Sequence, residues 1–158
     1  MSKTQLYKDI KANLEKVCNV KHVRLFNNQF QHENVEESFL YPCVFIEFKP
    51  STYRDKLDKV QDYDMIITLH IGFESYNTDD IEVLEFIENV YVAIHGMNSG
   101  TFGRLLRREE RQDFDHGNVQ VYQMDFITLG QDNAAQPVRK SRIIGTTVTT
   151  EFVQPNEI

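Results

Sequence analysis

Residues 62–73 read DYDMIITLHIGF, and this stretch decides the fold. Every second residue from Tyr63 to Phe73 is large and apolar, which is the period of a β-strand with one buried face. These apolar residues are Tyr63, Met65, Ile67, Leu69, Ile71 and Phe73. A face of this kind needs a covering layer, which a helix can supply. The pattern therefore predicts a sheet with at least one helix packed on it.

Two segments have the apolar spacing of amphipathic helices. The first runs from about Thr4 to Cys18. The second lies within residues 77–96, where acids occupy the first turn and Gly96 follows the end. Its candidate N-caps are Asn77, Thr78 and Asp79. The stripe expected to cover the sheet consists of Ile81, Val83, Leu84, Ile87, Val90, Tyr91 and Ile94.

Further strands are predicted on both sides of the second helix. They are YPCVFIEF at 41–48, VQVYQMDFITL at 119–129 and IIGTTVTTEFV at 143–153. The charged segment 49–61 is either a mobile loop or a long hairpin arm, and residues 130–141 form a polar connection. The element order predicts a single α+β domain over residues 1–158. We expect an antiparallel or mixed sheet of about four to six strands, packed by two main helices.

Composition narrows the range of functions. A formal charge of -7 works against a surface that neutralises nucleic-acid phosphates. The short motifs for phosphate, dinucleotide, acyl and zinc chemistry are missing from the sequence. Apolar runs are too short to cross a bilayer and the N-terminus lacks a secretory pattern, so we expect a protein made and kept in the cytosol. No cofactor is expected, and Cys18 and Cys43 are expected to be buried, reduced thiols.

The stretch DFDHGN, residues 113–118, has two interpretations. Asp113, Asp115 and His116 could converge on a cation. The match to a calcium loop fails, because Gly117 takes the third ligand position and Met124 stands where the bidentate Glu belongs. The favoured interpretation is a hairpin turn over residues 115–118, which joins a strand near 105–114 to the strand from Val119. We therefore expect no metal site.

Two other pairs could carry catalysis. Cys43 and His70 could meet across neighbouring strands as nucleophile and base, although a core thiol beside a surface histidine is favoured. Asp62 and Asp64 share one strand face, where solubilising charge is favoured over a catalytic carboxylate pair. We therefore expect no catalytic residues.

A mixed-charge strip precedes the turn. Its residues are Arg104, Arg107, Arg108, Glu109, Glu110, Arg111 and Asp113. On a monomer the strip would be a solvated strand. In an assembly it could pair with oppositely charged groups of a neighbouring subunit.

Taken together, these segments resemble the tail-terminator and tail-completion proteins of long-tailed bacteriophages. The resemblance covers residues 6–152 and rests on the opening helix LYKDIKANLEKV, the strand YPCVFIEF and the charged excursion STYRDKLDKVQDYD. It continues through MIITLHIGFES, the helix DDIEVLEFIENVYVAIHG, and an acidic turn before a Val-x-Val-Tyr strand. It implies a non-enzymatic protein that assembles as a ring, usually of six copies, at the head-proximal end of the tail tube.

The resemblance also implies partners and a location. The ring would contact the tail tube protein and the head–tail connector proteins at the head–tail junction of the virion, after synthesis in the host cytoplasm. DNA would pass through without specific binding, and no membrane is involved. The expected subunit or tube contacts are the segment 49–61, with Tyr53, Arg54 and Lys56, and the strip, with Arg104, Arg107, Arg108, Arg111 and Asp113.

Three alternatives remain open at this point. A head–tail connector adaptor would have nearly the same sequence pattern. A small divalent-metal-dependent hydrolase or nuclease could use Asp113, Asp115 and His116. A cytosolic binding domain unrelated to phages is the third alternative.

Overall fold

A computed structural model of the protein describes residues 2–31, 40–74, 78–100, 102–144 and 147–153, with side chains described as far as residue 137. Its two helices and mixed six-stranded sheet confirm the predicted α+β class. The helices are α1 (Lys3–Val17) and α2 (Asp80–Ile94). The strands are β1 (His22–Leu25), β2 (Cys43–Phe48), β3 (Thr52–Asp55), β4 (Gln61–Glu74), β5 (Leu106–Asp113), β6 (Val119–Asp132), β7 (Val138–Ile144) and β8 (Thr147–Val153).

The sheet is built around a long antiparallel pair. Strands β4 and β6 pair over 14 residues each, from Gln61 opposite Asp132 to Glu74 opposite Val119. The strand order is β1-β2-β4-β6-β5, and only β1 and β2 run parallel to each other. Strand β3 pairs with the start of β4, next to the part that pairs with β2. Strands β7 and β8 form a separate two-stranded sheet.

Both helices contribute to one core on the apolar face of β4. All six residues that define the predicted face are buried, at most 2% exposed. They join Leu6, Ile10 and Leu14 of α1, which are completely buried, and the inner residues of α2. The predicted strand period and the first helix, expected from about Thr4 to Cys18, are thus confirmed.

Helix α2 begins and ends as predicted, and four of the seven residues predicted to cover the sheet are buried. The carboxylate of Asp79 accepts a hydrogen bond from the Ile81 backbone N–H at 2.9 Å, and Gly96 has a positive φ of 78°. Asp79 is therefore the N-cap, whereas Asn77 lies outside the described residues. The prediction that Ile81 and Leu84 cover the sheet is wrong, because both are exposed while Phe86 and Ala93 are buried. The helix is apolar around much of its circumference, so residue spacing alone made the predicted stripe too wide on one side.

The sequence boundaries near the C-terminus need correction. Strand β6 continues to Asp132, and β7 already begins at Val138, inside the predicted polar connection. The basic and polar residues of β7 hid its strand character. Upstream, the segment 49–61 is the predicted hairpin arm, since β3 and β4 pair across it.

Candidate functional site

The hairpin arm, which we define as residues 49–61, is fastened to β4 by ion pairs. The two terminal guanidinium nitrogens of Arg54, Nη1 and Nη2, donate to the Asp64 carboxylate at 2.8 and 3.0 Å. Lys56 Nζ lies 2.8 Å from Asp62 Oδ2. The pKa of each carboxyl is lowered, chiefly by these hydrogen bonds from Arg54 and Lys56. Asp62 and Asp64 are therefore each paired with a separate cation, and the structure gives no sign of a proton shared between them.

The tip of the hairpin arm exposes apolar surface. Leu57 is 89% exposed, in a short 3-10 turn between β3 and β4. Near the base, Tyr53 is paired with Tyr63, with ring centroids 6.3 Å apart. Cross-strand aromatic pairs of this kind stabilise a hairpin. The hairpin arm therefore presents an exposed leucine on an ordered two-stranded base.

The mixed-charge strip forms the edge strand β5 and the segment just before it. Strand β5 pairs with β6, and the turn between them contains Asp115 and Gly117 with positive φ, as predicted for a hairpin. The register shifts between Arg107 and Glu109, which makes Arg108 the extra residue of a β-bulge. Because of the bulge, Arg107 and Glu109 lie on opposite faces of the sheet.

Arg107 lies on the helix side of the sheet. Its guanidinium carbon is 3.9 Å from the centroid of the Tyr91 ring, which is a cation–π contact. Its Nη1 atom lies 3.3 Å from Glu110 Oε2. The Arg107 backbone N–H donates to His95 Nδ1 at 3.1 Å. Arg104, like Arg107 and Arg108, has an exposed side chain. Its backbone forms an isolated antiparallel β-bridge with Asn98.

Arg111 lies on the opposite side, which we call the second face of the sheet. It donates to Asp125 Oδ2 at 2.9 Å and to Gln123 Oε1 at 2.5 Å. Gln123 in turn donates to Asp113, which also lies 2.9 Å from His116 Nε2. The strip is therefore divided: Arg104, Arg107 and Arg108 lie outside this network, whereas Arg111 and Asp113 belong to it, although their side chains are still 36% and 37% exposed.

The second face contains buried polar residues that the sequence pattern did not reveal. Thr68 donates to Asp125 Oδ1 at 2.6 Å. His70 Nε2 lies 2.7 Å from Glu47 Oε2, and Lys49 Nζ lies 2.9 Å from Oε1 of the same carboxylate. Both Thr68 and His70 are at most 4% exposed. Their alternation with the apolar residues of β4 placed them on a polar face and suggested exposure. The expectation of a surface histidine at position 70 is thus wrong.

Two phenylalanines cover this network. The Phe26 ring stacks on His70 with centroids 3.7 Å apart and planes 2° from parallel. The Phe30 ring packs edge-on against Phe45 at 5.1 Å. Both follow β1: Phe26 ends the stretch VKHVRLF, whose alternation predicts a short strand, and Phe30 lies in NNQFQHENVEES, whose polar composition predicts an exposed loop. The aromatic residue within that polar stretch was the available signal.

Burial and hydrogen bonding compete in setting the charge states of the network. Burial lowers the pKa of His70 and outweighs the opposing effect of Glu47. Burial alone would raise the pKa of Glu47 and Asp125, but hydrogen bonds reverse this. His70 and Lys49 lower the pKa of Glu47, and Thr68 and Arg111 lower that of Asp125.

We expect His70 to make folding sensitive to mild acid. Because folding lowers its pKa below 6.5, unfolding takes up a proton, and the free energy of unfolding should fall as pH falls through this value. The His70→Gln variant should show a flatter dependence between pH 7 and 5 in urea titrations. Phe26→Ala, which uncovers the ring, should flatten it partly. An unchanged slope in His70→Gln would contradict this assignment.

The catalytic and metal interpretations find no support in the described residues. The thiol of Cys43 contacts the Gly72 carbonyl at 3.8 Å, and burial raises its pKa to about 12, so it is protonated at neutral pH. Its proposed base His70 contacts Glu47 instead. Both cysteines are buried and free, as expected. Within the described part of the chain, no three His, Cys, Asp or Glu side chains are grouped to hold a metal ion.

The described helices also include none that is long and apolar enough to span a membrane. Compared with models of known protein families and with curated proteins, the chain gives no match to either.

Proposed function

We propose that this chain is a non-enzymatic structural protein of a long-tailed bacteriophage or prophage. It forms a ring, usually of six copies, that caps the head-proximal end of the tail tube and helps to join the tail to the head. Its partners are further copies of itself, the tail tube protein and the connector proteins. The basis is the likeness of its sequence pattern to tail-terminator proteins, together with surfaces suited to assembly.

The hairpin arm is the observation that carries this proposal. An exposed leucine at the end of a hairpin braced by two charged pairs suits a protein contact, because little ordering entropy remains to be lost on binding. The exposed arginines 104, 107 and 108 provide a second charged surface at the sheet edge. A formal charge of -7 also suits a ring through which DNA must slide without sticking.

Replacing the exposed leucine should weaken assembly without changing the fold. We expect Leu57→Asp to raise the dissociation constant of the oligomer at least about tenfold, or about 1.4 kcal/mol, because it places a charge in an apolar contact. Leu40, which is 68% exposed before β2, offers a matched control. Leu40→Asp should leave the oligomer unchanged. Sedimentation velocity measures both, and equal behaviour of the two variants would remove the arm from the assembly surface.

The ring itself is tested by mass. Light scattering on a sizing column, over a range of concentrations and with and without magnesium, should give a closed oligomer near six copies. A chain that remains monomeric throughout and binds magnesium tightly would contradict the proposal and favour the metal-dependent hydrolase. In that case Asp115→Asn should abolish activity while the protein remains folded.

A further inference from the structure

Helix α2 has a second apolar side that faces away from the core. Ile81, Leu84 and Val92 are 63%, 57% and 65% exposed. With Glu85 and Glu88 they occupy one side of the helix, since positions 81, 84, 85, 88 and 92 fall within about a quarter to a third of a turn. We call these five residues the outer stripe. The buried residues Val83, Phe86, Val90 and Ala93 lie on the opposite side.

The outer stripe combines apolar surface with negative charge. Residues 79–94 contain five acids and no lysine or arginine. Single exposed apolar residues are ordinary, but several together on one side of a helix indicate a contact surface. The partner that fits best would bring apolar residues and positive charge.

The β7–β8 hairpin has this composition. In the described structure its two strands pair only with each other, from Val138 opposite Val153 to Ile144 opposite Thr147. An isolated two-stranded hairpin is only marginally stable in water and gains stability by packing on a helix or on further strands. Residues 138–153 contain three basic residues against one acid. Their apolar residues lie on both faces of the hairpin, and one face combines Val138, Ile144 and Val153 with the basic residues Lys140 and Arg142.

We propose that the β7–β8 hairpin of one copy docks on the outer stripe of α2 in the next copy. This contact rests on the proposed ring and specifies how neighbouring subunits bind. The evidence for it is complementarity: a basic, apolar hairpin that needs a cover and an acidic, apolar stripe that lacks one. Because the two surfaces differ, each copy offers one of each, and such head-to-tail contacts close into a ring when the rotation permits.

Charge reversal tests the docking. Glu85→Lys with Glu88→Lys, and Lys140→Glu with Arg142→Glu, which share one face of the hairpin, should each raise the dissociation constant of the oligomer at least about tenfold. The chain that carries all four changes should recover, because both surfaces are reversed together. Asn89→Lys, which adds positive charge to α2 off the stripe, is the matched control and should leave the mass unchanged. Rings that survive both reversals would overturn the docking while leaving the ring function intact.

Cross-linking tests the same contact even if no closed ring forms. A mixture of ¹⁴N- and ¹⁵N-labelled protein, treated at high concentration with a zero-length carbodiimide cross-linker, should yield Lys140 joined to Glu85 or Glu88. Peptide pairs of mixed label would show docking between copies, independently of the ring. Cross-linked pairs of which every one carries a single label, with none mixed, would mean that the hairpin covers its own helix. That result, or the absence of these pairs, would overturn the proposal.

Discussion

Gly72→Val is expected to lower the free energy of unfolding by about 3 kcal/mol, because it overpacks the covered second face of the sheet. A Cβ at this position would lie 2.6 Å from the Phe30 ring and 2.8 Å from Cys43 Sγ. Valine otherwise favours strands, and glycine weakens them. The sign of the effect therefore depends on whether the segment containing Phe30 covers β4. Urea unfolding of wild type and variant measures it.

The Phe30→Ala background provides the control. Removing the ring eliminates the two nearest contacts of the added Cβ and leaves Cys43 Sγ, so part of the cost should remain. The cost of Gly72→Val should then fall by more than half, giving a coupling energy of about 1.5 kcal/mol or more between the two sites. Additive effects would mean that Phe30 does not pack on Gly72 in solution, and the described aromatic cover would be wrong.

Arg111→Glu is expected to destabilise the protein by about 3 kcal/mol, because Asp125 would lose its cation and face a second carboxylate. The side chain of Asp125 is only 13% exposed, whereas that of Arg111 is 36% exposed, so the loss should lie at the lower end for buried pairs. Gln123 would also lose its donor at 2.5 Å. Chemical unfolding at neutral pH measures the change.

Arg108→Glu is the matched comparison on the same strand. Arg108 is the exposed bulge residue, so its reversal should change stability by no more than about 0.5 kcal/mol. A contact role for the sheet edge is therefore tested cleanly with Arg108 and not with Arg111, whose reversal also disturbs folding. If both variants were equally stable, the division of the strip into residues inside and outside the network of the second face would be wrong.

The sequence predicted the helix-covered side of the fold well, because one physical signal dominates there. Every second residue of β4 from Tyr63 to Phe73 is apolar, and all six residues of that face are buried. The turn at Asp115 and Gly117 was also predictable, since aspartate and glycine tolerate positive φ. These features depend on neighbouring residues along the chain.

The second face could not be predicted in the same way. Thr68, His70 and Asp125 are polar, and their burial depends on an aromatic cover from a distant segment and on partners in four strands. Similarly, the bulge beside Arg107 places Arg107 and Arg111 on opposite faces of the sheet, whereas simple alternation would place them on the same face. The exposure of Ile81 and Leu84 was also not predicted. A helix that is apolar around much of its circumference does not show in its sequence where the buried stripe ends.

The most direct test of the proposed function is to locate the protein on tail tubes. Tubes assembled from the tail tube protein encoded in the same genome as this chain would be mixed with gold-labelled protein and imaged by electron microscopy. We expect label at one end only, as a ring, with elongation stopped at that end and the Leu57→Asp variant failing to bind. Label along the tube wall, or no binding while elongation continues at both ends, would contradict a cap at the end of the tail.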